Sequence, residues 1–210
     1  PLIEYVASKG KPIILSTGIA TIEDIELALD ACKRMGNNDF ALLKCTSSYP
    51  APIEEANMCM IEDLASRFDV ISGLSDHTIG GDLPVASIAL GAKVIEKHFI
   101  LNKDVGGPDA SFSMTAEEFK LMVNSVRNIE KALGKVSYEL SPKGKVNREF
   151  SRSLFVVEDV KKGDVVSLDN IRSIRPGYGM HPKELTNVLG SVFDSDIERG
   201  TPLSFELIVK

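Results

Sequence analysis

The sequence predicts an α/β protein in two parts: alternating strands and helices first, then a small β-rich domain. Three observations carry that expectation. Short apolar runs, each followed by a stretch with helical spacing, recur through residues 12–133. The runs are continuously apolar, as strands are when helices cover both faces of a parallel sheet. After a polar, lysine-rich stretch at 137–149 the rhythm changes to short strand-like segments separated by turns.

In order, residues 1–7 read as the tail of a helix. No methionine precedes them, so the chain is expected to be the later part of a longer protein. Residues 12–18 form a strand, and 21–35 a helix with Ile22, Ile25, Ala28, Leu29 and Cys32 on one face. Thr21 and Asp24 suit a capping arrangement at its start, and Gly36-Asn37-Asn38 stops it. A strand at 40–46 and a helix at 53–67 follow. Next come a strand at 70–77, a helix at 82–91 and a strand at 92–98. The helix at 115–133 ends at Gly134. Four βα units could build a small doubly wound sheet or half of an eight-fold barrel. In both designs ligands bind at the carboxyl ends of the strands. The division expected is 1–136, a linker at 137–150, and a β-rich domain at 151–210 with strands at 153–157, 164–167 and 171–174. One or two helical turns fall at 181–189. About 60 residues are few for a core, so this domain is expected to dock on something.

Composition excludes several classes. A net charge of −6 argues against nucleic acid as the partner. No apolar run reaches the ~20 residues needed to cross a bilayer, and no signal-peptide pattern opens the chain. Cys32, Cys45 and Cys59 are an odd set without C-x-x-C spacing, which disfavours a disulfide framework or structural zinc and suits the cytoplasm.

Two of the three histidines, His77 and His98, fall at equivalent places, each at the end of an apolar strand. By the period-two rule Gly73, Ser75 and His77 share one face, and Val94, Glu96 and His98 another. If both faces point to one mouth, the imidazoles converge. Two imidazoles with oxygen ligands and open positions suit a divalent cation, Mn²⁺ first, with Mg²⁺ or Co²⁺ as alternatives. The competing reading makes each histidine an ordinary packing residue. Lys44 and Lys97 could reach an anion or be solvated. Ser16, Thr17, Ser47 and Ser75 could bind an oxyanion or close turns. Tyr49 could wall a pocket or simply pack. Asp109, after two glycines, could hold a sugar hydroxyl, orient a metal-bound water or be a turn residue. Arg175 could bind a carboxylate or form a rim salt bridge. Cys45 reads as a small buried residue rather than a nucleophile.

The strings Ile14-Leu15-Ser16-Thr17-Gly18, Lys44-Cys45-Thr46-Ser47-Ser48-Tyr49-Pro50, Gly73-Leu74-Ser75-Asp76-His77-Thr78, Glu96-Lys97-His98-Phe99 and Gly107-Pro108-Asp109 resemble the bacterial nonulosonic (sialic) acid synthases. The tail, from Lys161-Lys162-Gly163-Asp164 to Arg199-Gly200-Thr201-Pro202, resembles their antifreeze-like (SAF) domain. Residues 45–50 and 106–113 point to the pseudaminic acid branch, with N-acetylneuraminate and legionaminic acid synthases as alternatives. The resemblance implies a (β/α)₈ TIM barrel of which this chain supplies strands five to eight, followed by a β-clip domain. It implies condensation of phosphoenolpyruvate with an open-chain amino sugar by a domain-swapped homodimer. His77 and His98 become metal ligands. Ser47, Tyr49 and Ser75 fall at phosphoenolpyruvate-side positions, Ser47 standing where some relatives carry asparagine. Asp109 would touch the sugar, and Arg175 would reach the sugar pocket of the partner subunit. The family's phosphate-binding lysines and an active-site glutamate belong to the first half of the barrel, so this piece alone is expected to be inactive. Two other classes remain. A carbohydrate- or ice-binding protein would want a threonine-rich face, but the tail has only Thr186 and Thr201. A metal-dependent aldolase would use pyruvate.

Overall fold

A computed structural model describes residues 1–210, in two compact units, Pro1–Lys135 and Val136–Lys210. In the first unit, strands β1 (Ile13–Ser16), β2 (Phe40–Cys45), β3 (Ile71–Asp76) and β4 (Val94–Lys97) pair in parallel in that order, curled as half of a barrel. Helices α1 (Leu2–Ala7), α2 (Ile22–Arg34), α3 (Met60–Phe68), α4 (Asp82–Ala89) and α5 (Ala116–Leu133) alternate with them.

The strands have two unlike faces. Leu42 packs with Ile25, Leu29 and Leu64, and Leu74 with Ile61 and Leu83, so these residues face the helices. Each fully buried side chain of this kind contributes about 1.5–3 kcal/mol. The alternate residues, Ile14, Ala41, Leu43, Ile71, Gly73, Ser75, Val94 and Glu96, face the other way. That inner face leaves Ile14 and Ile71 more than half exposed. Gly73 is required there: a β-carbon would stand 2.2 Å from the Val94 carbonyl oxygen and 2.7 Å from Leu43 Cδ2.

Helix starts follow the sequence chemistry. Thr21 and Asp24 form a reciprocal capping box on α2, and Thr115 with Glu118 forms another on α5. Ile25, Leu29 and Cys32 are buried as the spacing requires, whereas Ile22 is exposed. Asn37 does more than stop the helix. Its amide donates to the carbonyls of Ala7 and Lys11 and its oxygen accepts from Asp39 N–H, tying the approach to β1 against the approach to β2.

The expected helix at 53–67 is broken. A 3₁₀ turn at Ile53–Glu55 precedes α3, with Asn57 at φ 41° between them. Asparagine tolerates that left-handed conformation, which a helix cannot contain.

In the second unit, β5 (Ser153–Val156) pairs antiparallel with β6 (Ile171–Ile174), and β7 (Val192–Phe193) with β8 (Ile208–Val209). The linker expected at 137–150 contains a helix, α6 (Pro142–Arg148). Ser141 caps it by accepting from Gly144 N–H, and proline at the first position suits a helix start although it reads as a breaker. The strand expected at 164–167 is reduced to one bridge, Val165 to Val192. Asp164 and Asn170 close turns on either side of it by accepting from Lys161 N–H and Ser167 N–H. A turn at Pro182–Glu184 runs into α7 (Leu185–Val188). The unit carries more core than its size suggested. Leu154, Val156, Val166, Ile171, Val188, Phe193 and Leu203 are each at most 1% exposed.

Candidate functional site: a two-histidine mouth

His77 and His98 follow the last residues of β3 and β4, which are register partners through Ser75–Glu96 and Asp76–Lys97. Their ring centroids lie 5.1 Å apart. Alternation puts both on the inner face, above Ser75 and Glu96, whose side chains join by a 2.7 Å hydrogen bond from the serine hydroxyl.

The loop after β2 wraps His77. The ring Nδ1 lies 2.9 Å from the Thr46 carbonyl oxygen, and Ala51 N–H donates to the His77 carbonyl. A carbonyl can only accept, so Nδ1 carries the proton and Nε2 keeps its lone pair. A hydrogen bond of this kind orients metal-binding imidazoles. His98 Nδ1 faces Asp109 Oδ2 at 3.5 Å. The donor set therefore fits a divalent cation held by two nitrogens and otherwise by oxygens of water or substrate. No group of three or more His, Cys, Asp or Glu side chains is gathered that could hold an ion.

Aromatic rings wall the mouth. Tyr49 lies 4.3 Å from His77 and 6.1 Å from His98, centroid to centroid. Phe112 lies 4.9 Å from His98 and 6.0 Å from Tyr49. Phe112 reaches this place because the segment after β4 returns. Met114 N–H donates to the His98 carbonyl and Ile100 N–H to the Met114 carbonyl, flanking a parallel bridge at Phe99. Ser113 bonds back to the Asp109 carbonyl through both its N–H and its hydroxyl, shaping the loop that carries Asp109.

The structure thus gathers Tyr49, Ser75, His77, His98 and Asp109. Ser47 stands at the neighbouring strand end beside Gly18, where a β-carbon would come within 2.7 Å of the serine oxygen. Gly18 has φ 41°, so glycine serves there twice. Thr17 extends the pairing of β1 with β2: its N–H and hydroxyl both donate to the Leu43 carbonyl. Arg175 lies in the second unit, exposed, in the loop after β6. Sequence reasoning missed Phe112 and the Thr46 carbonyl, and passed over Glu96 as a mere face-mate of His98.

Neither lysine is a fully solvated surface group. Lys44 and Lys97 sit on the helix-facing side of their strands. Lys97 is buried in an ion pair with Asp76. Lys44 donates to the Cys45 carbonyl and to Thr46 Oγ1, and burial pushes its ammonium below the usual lysine range, against a weaker opposing pull from Cys45. The Thr78 hydroxyl is buried with no hydrogen-bond partner. A groove of about 630 Å³ between α4 and α5 is lined mainly by apolar residues such as Val85, Ala89, Leu121 and Ile129 and gathers no comparable set of reactive groups.

A curled parallel sheet with helices on one face, and with imidazoles, hydroxyls and a carboxylate at its carboxyl ends, defines a β/α-barrel protein with a binding mouth. The chain belongs to the NeuB family, whose pattern matches residues 1–138, and residues 151–209 match the SAF domain. It is 45% identical over 204 residues to the pseudaminic acid synthase of Helicobacter pylori, covering 97% of this chain and 60% of that protein. It is also 45% identical over 201 residues to the pseudaminic acid synthase of Campylobacter jejuni, covering 96% and 59%. Among solved structures it is similar to the spore coat polysaccharide biosynthesis protein spsE from Bacillus subtilis. The TM-score is 0.60 at 33% identity, over 100% of this chain and 64% of that one. The chain spans about 60% of the length of these curated relatives.

Proposed function

We propose that this chain is the mouth-bearing portion of a pseudaminic acid synthase. The reaction condenses phosphoenolpyruvate, a 2,4-diacetamido-2,4,6-trideoxy hexose and water to a nonulosonic acid and inorganic phosphate, with cleavage of the C–O bond. The observation that carries this reading is the pair of imidazoles at adjacent strand ends, with Nε2 of His77 freed by its bond to Thr46. The relatives named pseudaminic acid synthase supply the choice of sugar.

In this reading His77 and His98 would hold a divalent cation, Mn²⁺ in first place. Bound there, the cation supplies Lewis acidity for the sugar aldehyde. The protein's own groups do the rest. Tyr49 and Phe112 wall the mouth and exclude water from one side. Ser75, braced by Glu96, and Ser47 offer hydroxyls to phosphoenolpyruvate. Asp109 contacts a sugar hydroxyl while orienting His98. Arg175 serves the mouth of the partner subunit in a homodimer with exchanged SAF domains, and the enzyme works in the cytoplasm. Residues 1–136 form the catalytic part, 137–150 connect, and 151–210 form the SAF domain. Holding two substrates in a reactive arrangement is a large share of the barrier lowering.

Phosphate release by the intact protein tests this. It is expected to need a divalent metal, phosphoenolpyruvate and the 6-deoxy diacetamido hexose, with N-acetylmannosamine and the legionaminic acid precursor as poorer acceptors. The His77→Ala protein is expected to release no phosphate above background. Full activity in that variant would overturn the metal assignment.

A further inference from the structure

Asp76 and Lys97 form an ion pair whose side chains are 2% and 1% exposed. Lys97 Nζ donates to Asp76 Oδ2 at 2.7 Å and also to the Thr78 carbonyl, while Asp76 Oδ1 accepts from Thr78 N–H at 2.9 Å. The two residues are register partners on β3 and β4, and each immediately precedes one of the paired histidines. Their side chains lie on the helix-facing side, and His77 and His98, one residue on, turn to the opposite face.

A buried charge pair is a poor source of stability. Desolvation cancels much of the attraction, and an apolar pair of similar volume often serves as well or better. What such a pair does supply is geometry. Lys97 grips the residue before His77 and the residue after it, and His98 follows Lys97 directly. A one-residue slip of β4 against β3 would part the pair and carry the two imidazoles to opposite faces of the sheet.

We propose that Asp76 and Lys97 are positioning residues for His77 and His98: the buried pair locks the ends of β3 and β4 in the register that brings both imidazoles to one mouth, where they would hold a cation. The inference rests on the metal reading of the mouth and adds to it the device that sets ligand spacing. Neither residue touches the cation.

The test uses the intact protein and two readouts, thermal unfolding and Mn²⁺ affinity from the electron paramagnetic resonance signal of the free ion. The double variant Asp76→Asn/Lys97→Met removes both charges at similar volume and leaves no lone buried charge. It is expected to keep a thermal midpoint close to that of the parent while Mn²⁺ affinity falls about 10- to 100-fold, the cost typical of losing a group that orients a ligand. Asp76→Ser/Lys97→Met also leaves no lone charge and keeps an acceptor for Thr78 N–H, so it covers the case in which the first double variant fails to fold. It is expected to shift affinity in the same direction. Parental Mn²⁺ affinity in either double variant, when folded, would overturn the positioning role. His77→Ala separates the two claims. If it binds Mn²⁺ as tightly as the parent, the metal reading fails and takes this inference with it. If it loses the ion while the pair variants keep it, only the positioning role falls.

Discussion

At the scale of single residues, the mouth depends on which atom of a ring is already engaged. Thr46 offers His77 only a carbonyl oxygen, and that one contact decides the tautomer. Below the rings the same face narrows to Gly73, pressed between Leu43 and the Val94 carbonyl. Gly73→Ala is expected to destabilise the protein by about 3 kcal/mol or more, because backbone on one side cannot yield. Urea unfolding monitored by circular dichroism measures it, and a loss below 1 kcal/mol would show that β3 and β4 can separate there. The histidines were legible because a strand end and a period of two are local features. Phe112 was not, since it lies in an aperiodic loop and reaches His98 only when Met114 folds back. Lys97 was misjudged for a different reason. Sequence shows a long cationic side chain near a strand end, but not that a carboxylate is its register partner. The matched offset of Asp76 and Lys97, each one residue before a histidine, was the available signal.

At the scale of elements, capping chemistry read from the sequence agrees with the structure at α2, and the same arrangement recurs at α5. Removing one cap is a clean check. Thr115→Ala is expected to cost about 1 kcal/mol, since it leaves an N–H at the start of α5 without its acceptor. A denaturant midpoint that does not move would show that water satisfies that end equally well. Elements misread from sequence have local causes. Asn57 interrupts the helix expected at 53–67 by taking a left-handed conformation, and Asp164 and Asn170 close turns where a strand was expected at 164–167. Ser141 does the reverse, turning part of an expected linker into α6. Composition alone does not say which way such residues will act.

At the scale of the molecule, the first unit is a sheet with one clothed face and one bare one. The helices bury Leu42 and Leu74, whereas Ile14 and Ile71 stand exposed on the inner face and β1 and β4 have unpaired edges. Exposed edges and apolar surface together favour association. The 210-residue chain by itself is therefore expected to self-associate at micromolar concentration in sedimentation velocity runs. Ile14→Lys with Ile71→Lys should shift it toward the monomer, and an unchanged profile would place the contact elsewhere. The alternation of strand and helix was plain in the sequence, but periodicity left a doubly wound sheet and a half-barrel equally open. Only the curl of the sheet and the family resemblance separate them. Arg175 marks the corresponding limit for the site: its chemistry is readable from the loop it occupies, its target is not.

The loop that brings Asp109 and Phe112 to the mouth is stitched shut at its base, where Met114 donates to the His98 carbonyl and accepts from Ile100 N–H beside Phe99. Whatever lies between those stitches can be lengthened, shortened or replaced without disturbing the strands beneath. A closed excursion of this kind is an interchangeable part. Exchanging the dozen or so residues between the stitches would give the mouth a different wall while β3, β4 and His77 stay where they are.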